Sequence, residues 1–222
     1  MEKYLNDTVK TIQELIRIDS TNQPAEEGMP FGKGAARALQ AFLSCAAAMG
    51  FETRNYDNYV GEVLFGEGEP FAILAHLDVV PAGSGWTHAP FGGEIENGKL
   101  YGRGAMDDKG PAVVCLYALK ALKDEGFQPR KTIKLIVGCN EECGWVSTTT
   151  NSAPRCPKSG LRPTPIFPSS MRKKAFCTLN FIFPWKTHPL PPCTAAKASI
   201  WCATRRSPNA TKRRARSAIP CA

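Results

Sequence analysis

The stretch PFAILAHLDVV, residues 70–80, is short and apolar and follows a Gly- and Glu-rich segment, as expected of a buried β-strand. Residues 131–140, KTIKLIVGCN, form a second run of this kind. Between the two runs, residues 111–127 have the length and residue types of a helix, with Pro111 in its first turn and Gly126 at its end. The pattern predicts a strand, a helix and a strand in succession.

Two further helices are predicted upstream, because apolar residues recur there at helical spacing. The first set is Leu5, Val9, Ile12, Leu15 and Ile16, and the second is Ala36, Leu39, Leu43 and Ala47. Strands that alternate with helices indicate a layered α/β domain with a largely parallel sheet. This α/β pattern covers residues 1–145.

Charge is divided unevenly along the 222 residues. Residues 1–142 carry 20 acidic and 14 basic side chains, whereas residues 143–222 carry 14 basic side chains and no acidic one. Residues 145–222 also hold 11 of the 18 prolines and five of the nine cysteines. These five cysteines have no CxxC spacing, so a zinc ribbon is not indicated. The chain therefore joins an acidic α/β part to a basic, proline-rich part.

The N-terminal segment, MEKYLNDTVKTIQELIRIDS, has no uninterrupted apolar region, and no long apolar run follows it. Neither a signal peptide nor a membrane span is indicated. We therefore expect a cytoplasmic location and no membrane partner, and the pattern leaves the oligomeric state open.

Polar side chains follow the predicted strands. His76 and Asp78 lie two residues apart, a spacing that lets a carboxylate orient a metal-bound imidazole. Asp107 lies in a glycine-rich loop before the predicted helix, and Glu141 and Glu142 follow the second strand. Singly, these residues have plainer interpretations: a structural histidine, a helix cap and an exposed loop. Together they indicate a metal site in which one carboxylate binds the ion and a neighbour moves a proton.

The motifs HLDVVP, GRGAMDDKGP and NEECG, in this order and spacing, resemble those of the co-catalytic zinc metallopeptidases, which include aminoacylases, carboxypeptidase-like exopeptidases and dipeptidases. The segment GSGWTHAPFGGEIENGKLYGRGAMDDKGP is most similar to PepV-type, or Sapep-type, dipeptidases. The resemblance covers residues 1–145. It implies a zinc-peptidase-like catalytic domain with helix–sheet–helix layers, incomplete in this chain.

The resemblance also implies a role for each residue. His76 would bind one of two metal ions, with Asp78 supporting it. Asp107 would bridge the ions, Glu142 would bind the second, and Glu141 would be the general base. The implied cofactors are two divalent ions, zinc first, with manganese or cobalt as alternatives. The implied substrate is a dipeptide or small peptide.

The family pattern includes elements that this sequence does not show: a further Asp ligand, a lid-type domain and a last His ligand. After Glu142 the chain has no Asp or Glu, and its later histidine, His188, lies in KTHPLPP, which does not match the family's closing motif. Asp108 and Lys109 belong to the second motif without an implied direct role.

A shifted reading frame would account for the missing elements. When the last base of each codon is joined to the first two of the next, residues 162–176 permit P-D-A-D-F-P-x-I-Y-A-E-K-G-I, which resembles the family's next segment and includes the expected Asp. We therefore interpret residues 146–222 as a basic, proline-rich, disordered tail from out-of-frame translation. The frame break would lie near codons 143–147.

The sequence thus predicts hydrolysis of dipeptides by a water that two metal ions activate, with weak or absent activity in this chain. One alternative is an inactive remnant that still binds one ion at His76, Asp107 and Glu142. Another is a nucleic-acid-binding protein that uses KRRAR, residues 212–216, as a basic arm. The sequence shows no nucleic-acid fold signature, so we do not expect nucleic acid as a partner.

Overall fold

The computed structural model describes residues 2–143 and 160–161 of the chain. The helices are α1, Leu5–Ile16, which follows a 3-10 turn at Glu2–Tyr4, then α2, Gly32–Ala48, and α3, Lys109–Asp124. The strands are β1, Glu52–Tyr56, β2, Val60–Phe65, β3, Pro70–His76, β4, Glu94–Glu96, β5, Lys99–Tyr101, β6, Thr132–Gly138, and β7, Gly160–Leu161. All three predicted helices and both predicted strands are confirmed, although α3 begins two residues before Pro111. Apart from β7, the predicted disordered tail lies outside the described residues.

Five strands form one sheet in the order β1-β2-β6-β3-β7. β3 pairs in parallel with both β6 and β7, whereas β2 pairs antiparallel with β1 and with β6. The sheet is therefore mixed rather than largely parallel. The antiparallel pairs involve the hairpin formed by β1 and β2. The search for short apolar runs in the sequence did not predict this hairpin.

Three residues, 57–59, join β1 to β2, and the first two have left-handed backbones, Asp57 at φ 50° and Asn58 at φ 59°. The N–H of Tyr59 donates to the carbonyl of Tyr56 across the turn, at 2.9 Å. Such a turn matches the natural twist of paired strands, and Asp and Asn tolerate its backbone better than most residues do. The Asp-Asn pair was the sequence signal for it. A second hairpin, β4 to β5, uses Asn97 and Gly98 in the same way.

The main core lies between the helices and one face of the sheet. Leu135 and Val137 of β6 point into this core, whereas Ile136 points to the other face, where it joins a small cluster with Val60 and Leu74. All three helices contribute buried residues to the main core: Leu15 and Ile16 from α1, Leu39 and Phe42 from α2, and Val113 and Leu116 from α3. A second helical layer, as in the predicted helix–sheet–helix arrangement, would have to come from outside the described residues.

The start of α3 is tied to the end of α1 by a buried lysine. Lys109 is fully buried, and its ammonium donates to the carbonyls of Leu15 at 2.9 Å and Ile18 at 2.7 Å. Burial lowers the pKa of Lys109 to about 8, although the charges of Asp19 and Asp78 act in the opposite direction. A cation at the C-terminal end of a helix satisfies carbonyls that the helix itself leaves unpaired. The loop before α3 is therefore fixed against α1.

Within residues 2–143, no helix is both long enough and apolar enough to cross a membrane.

Gly110→Ala tests how tightly the loop and α3 are packed. In an ordinary helix this change stabilises by about 1 kcal/mol. Here a Cβ on Gly110 would overlap the backbone carbonyl of Ala105. We therefore expect the free energy of unfolding to fall by about 2–3 kcal/mol, the cost of overpacking. Urea denaturation measures this free energy of unfolding. Ser44→Ala, on the exposed face of α2, is the control, and its free energy of unfolding should stay close to the wild-type value. A Gly110→Ala variant that is more stable than the wild type would contradict the close approach of Gly110 to the carbonyl of Ala105.

Candidate metal centre

Three elements meet at one end of the sheet. The parallel pairing of β3 with β6 places His76, the last residue of β3, opposite Gly138, the last residue of β6. The chain after β6 carries Glu141 and Glu142, and α3 starts beside the same edge, directly after Asp107 and Asp108. The carboxyl ends of parallel strands are the usual location of ligand sites in such sheets.

The His76 side chain is buried and held from both sides. Its Nδ1 lies 3.0 Å from the backbone carbonyl oxygen of Asp78, and its Nε2 lies 3.1 Å from Oδ1 of Asp107. When Nδ1 carries the proton and donates it to that carbonyl, Nε2 is left as the nitrogen that can bind a metal. Burial lowers the pKa of His76, but the hydrogen bonds that the imidazole makes to Asp107 and Asp78 and the negative charges of Asp78 and Asp108 outweigh it and raise the pKa to about 11. The surroundings thus favour a positive charge at this position.

The Asp78 carboxylate holds the chain after β6. It is fully buried, and its two oxygens accept the backbone N–H groups of Glu141 and Glu142, each at 3.0 Å. Its Oδ1 lies 3.5 Å from Nδ1 of His76, so the imidazole makes its shorter contact with the backbone carbonyl of Asp78. We expected this carboxylate to orient His76. In the structure this carboxylate lies beside the imidazole, and its hydrogen bonds also hold the backbone of the glutamate pair.

The two aspartates before α3 face different ways. Asp108 is buried and accepts the backbone N–H of His76 at 3.2 Å, which anchors the loop to β3. Asp107 has a half-exposed side chain that faces the imidazole. The peptide bond between them is cis. This division agrees with the absence of an implied direct role for Asp108.

His76, Asp107 and Glu142 each offer one ligand atom, and these atoms all lie within 4.8 Å of one another. Oε2 of Glu141 lies 3.9 Å from Nε2 of His76, at the border of the same cluster. Burial raises the pKa of Glu142, with the charges of Asp107, Asp78 and Glu141 adding to the rise and His76 opposing it. One imidazole nitrogen and two carboxylate oxygens are a donor set that zinc accepts. The residues present therefore fit a divalent metal ion.

The described residues supply ligands for one such cluster. A second ion bridged by Asp107 would need further ligands, and the histidine that follows in the sequence, His188, lies outside the described residues. The other described histidine, His88, lies in the loop before β4 and packs against the β4–β5 hairpin, where its ring contacts Tyr101 and its nitrogens contact Glu94 and Glu96. Its two nitrogens point to different carboxylates, so these groups do not converge on one ion.

Sequence reasoning missed the segment Ser20–Asn22, which runs beside the end of β3. Ser20 Oγ donates to the carbonyl of Leu77 at 2.6 Å, and the N–H of Val79 donates to the carbonyl of Ser20 at 3.3 Å. The Asn22 amide contacts Asn140. Such a segment has no periodicity, and its polar residues look like those of any loop, so the sequence offered no signal for this position.

A cavity of about 540 Å³ reaches the candidate site at Asn140. Its lining residues are Ala25, Glu26, Gly28, Met29, Pro30, Phe31, Asp57, Tyr59 and Asn140. None of the three ligand residues lines it, so the cavity is a neighbour of the metal centre and not the centre itself.

Comparison with known proteins gives a consistent result. Residues 72–162 match the model of the peptidase family M20/M25/M40. The Beta-Ala-Xaa dipeptidase of Lactobacillus delbrueckii subsp. lactis is 49% identical over 142 residues, which cover 62% of this chain and 30% of that protein. The chain thus spans about a third of the length of this relative.

Solved structures show the same fold. Human carnosine dipeptidase 1 superposes with a TM-score of 0.57 at 26% identity, over 65% of this chain and 34% of that one. The M20 family metallo-carboxypeptidase Sso-CP2 of Sulfolobus solfataricus gives a TM-score of 0.54 at 24% identity, over 70% and 37% of the two chains. The part of this chain that the comparisons cover is therefore similar, in sequence and in fold, to a segment of the M20/M25/M40 family peptidases.

Proposed function

We propose that this chain binds a divalent metal ion, zinc first, through His76, Asp107 and Glu142, and that it belongs to an enzyme that hydrolyses dipeptides. The observation that carries the proposal is the convergence of one imidazole and two carboxylates within 4.8 Å, at the end of two parallel strands. The name of the Lactobacillus relative suggests dipeptides with an N-terminal β-alanine as the substrates to test first.

A metal ion bound at these ligands would polarise the peptide carbonyl and make a water molecule more acidic. We assign Glu141 the role of general base, and the proposal is supported by the 3.9 Å between its Oε2 and Nε2 of His76 and by its partly exposed side chain. Its carboxylate accepts a proton from the attacking water and passes it to the nitrogen of the leaving amine. One C–O bond forms and the C–N bond breaks. Asp78 keeps Glu141 and Glu142 in place through their backbone N–H groups.

The proposal keeps two metal ions, as the resemblance implies, with Asp107 between them. The ligands of the second ion would come from sequence that lies outside the described residues. A chain that binds zinc and does not hydrolyse dipeptides would be the metal-binding remnant, the alternative to an active enzyme.

Zinc binding is the first test. We expect isothermal titration calorimetry to show zinc binding to the wild-type chain. His76→Ala should weaken it by more than about 100-fold, beyond the ten- to hundredfold loss that follows removal of a ligand's supporting partner. His88→Ala is the matched control, since His88 also contacts two glutamates but lies away from the cluster, and its affinity should be unchanged. Equal zinc affinity in the His76 and His88 variants would contradict the site.

Glu141→Gln separates metal binding from catalysis. This change keeps the size of the side chain and removes its ability to accept a proton, so we expect kcat for β-alanyl dipeptides to fall by about 10²–10⁴-fold. Zinc affinity should stay within a few-fold of the wild-type value. The release of free amino acids measures the rate. Loss of zinc binding in Glu141→Gln would instead make Glu141 a metal ligand.

The reading frame after β6 has its own test. We expect resequencing of codons 138–180 to show a missing or extra base near codons 143–147, which would restore the acidic residues that the family pattern includes. The acid-free composition of residues 143–222 supports this expectation. The family match extends to residue 162, and β7 pairs with β3 at residues 160–161, so the reread must cover both sides of this segment. An uninterrupted frame would overturn the expectation.

A further inference from the structure

The segment that leaves β6, residues 138–142, is called the glutamate loop here because it carries Glu141 and Glu142, and a separate contact holds it at almost every residue. The carbonyl of Gly138 accepts the N–H of Leu77 at 2.9 Å, and the N–H of Cys139 donates to Tyr59 at 3.2 Å. At the other end, Glu141 and Glu142 donate to the Asp78 carboxylate. All of these contacts involve the backbone of the loop.

Asn140, in the middle of this loop, is held through its side chain. The amide nitrogen of Asn22 donates to its Oδ1 at 2.6 Å, across 118 positions of sequence. Asn140 comes directly before Glu141, so the direction of its side chain fixes the backbone from which Glu141 projects. The contact therefore links the Ser20–Asn22 segment to the residue beside the glutamate pair.

The environment of Asn22 is unfavourable for an amide. Its Oδ1 is buried and has no hydrogen-bond partner among the residues that the structure describes. A buried acceptor without a partner costs at least as much free energy as the single hydrogen bond of the amide nitrogen returns. An apolar side chain of similar size would avoid this cost. Stability alone thus gives little reason for asparagine at this position, which leaves the contact with Asn140 as its contribution.

We propose that Asn22 is a positioning residue that orients the Glu141–Glu142 pair through its hydrogen bond to Asn140. The inference rests on the proposed function, in which Glu142 binds the metal ion and Glu141 moves the proton. Asn22 itself touches neither the ligand atoms nor the reacting groups. Its effect on the site passes through the backbone of the loop.

Asn22→Leu tests the proposal in the full chain, because it preserves the side-chain volume and removes the hydrogen bond. We expect its zinc dissociation constant to rise about tenfold, at the lower end of the range for residues that support a metal ligand. Hydrogen exchange of the metal-free chain should become at least about fivefold faster in a peptide covering residues 139–143 and stay unchanged in β3 and α3. The urea midpoint should not fall. The Co²⁺-loaded variant should also show an altered visible absorption spectrum.

Two further variants complete the design. Asn140→Ala should weaken zinc binding as Asn22→Leu does, and the double variant should be no weaker than either single one, because both remove the same contact. Asn58→Gly is the matched control. Asn58 donates its amide to the carbonyl of Gly28, away from the cluster, and glycine accepts its φ of 59°. This variant should change neither zinc binding nor exchange in the 139–143 peptide.

The proposal is overturned if Asn22→Leu leaves both zinc affinity and local exchange unchanged. It is also overturned if Asn22→Leu lowers the urea midpoint without a local change in exchange, since that would be a purely structural role. Additive losses in the double variant would show that Asn22 does not act through Asn140. If the wild-type chain binds no zinc, the proposed function fails by itself, and the exchange measurement on the metal-free chain still decides the role of Asn22.

Discussion

β3 and β6 pair in parallel along their whole length, from Pro70 opposite Thr132 to His76 opposite Gly138. In a parallel pair both strands end at the same edge of the sheet, so the residues that follow them must be neighbours. This pairing brings a histidine and two glutamates together from positions more than 60 residues apart. The apolar cores on either side of β6 hold the register, because a slip of one residue would exchange Leu135 and Val137 for Ile136. The geometry of the metal centre therefore depends on the packing of the sheet.

The five carboxylates of the candidate metal centre fall into two groups with different contacts. Asp78 and Asp108 are buried and accept backbone N–H groups, which fixes the loops around His76. Asp107, Glu141 and Glu142 are more exposed, and their carboxylates face the imidazole. So much negative charge around one histidine is costly unless a cation is present, and the raised pKa of His76 shows the same preference for positive charge. A divalent ion meets this requirement more fully than a proton does.

Much of the fold and the centre could be predicted because the signals are local. The spacing of apolar residues identified α1 and α2, and length, residue types and the flanking Pro111 and Gly126 identified α3. The motifs identified His76 and the carboxylates at the ends of their strands. The β1–β2 hairpin was not predicted, because its turn, Asp57–Asn58, lacks the glycine that usually marks such turns. The contacts of Asp78 with the glutamate backbone and of Asn22 with Asn140 depend on groups 63 and 118 positions apart. No local pattern encodes such contacts, because they arise only when the chain packs.

The mixed sheet also has two unequal edges. β1, at one edge, carries Glu52 and Arg54, which form an ion pair of 2.7 Å in an exposed strand. Charged side chains on an edge strand discourage another chain from adding to it. On the opposite side, β3 has seven residues, and among the described residues β7 pairs with Ala72 and Ile73 alone. Within residues 2–143 and 160–161, the less protected edge is therefore β3, so the strand that carries His76 also carries backbone groups onto which another strand could add.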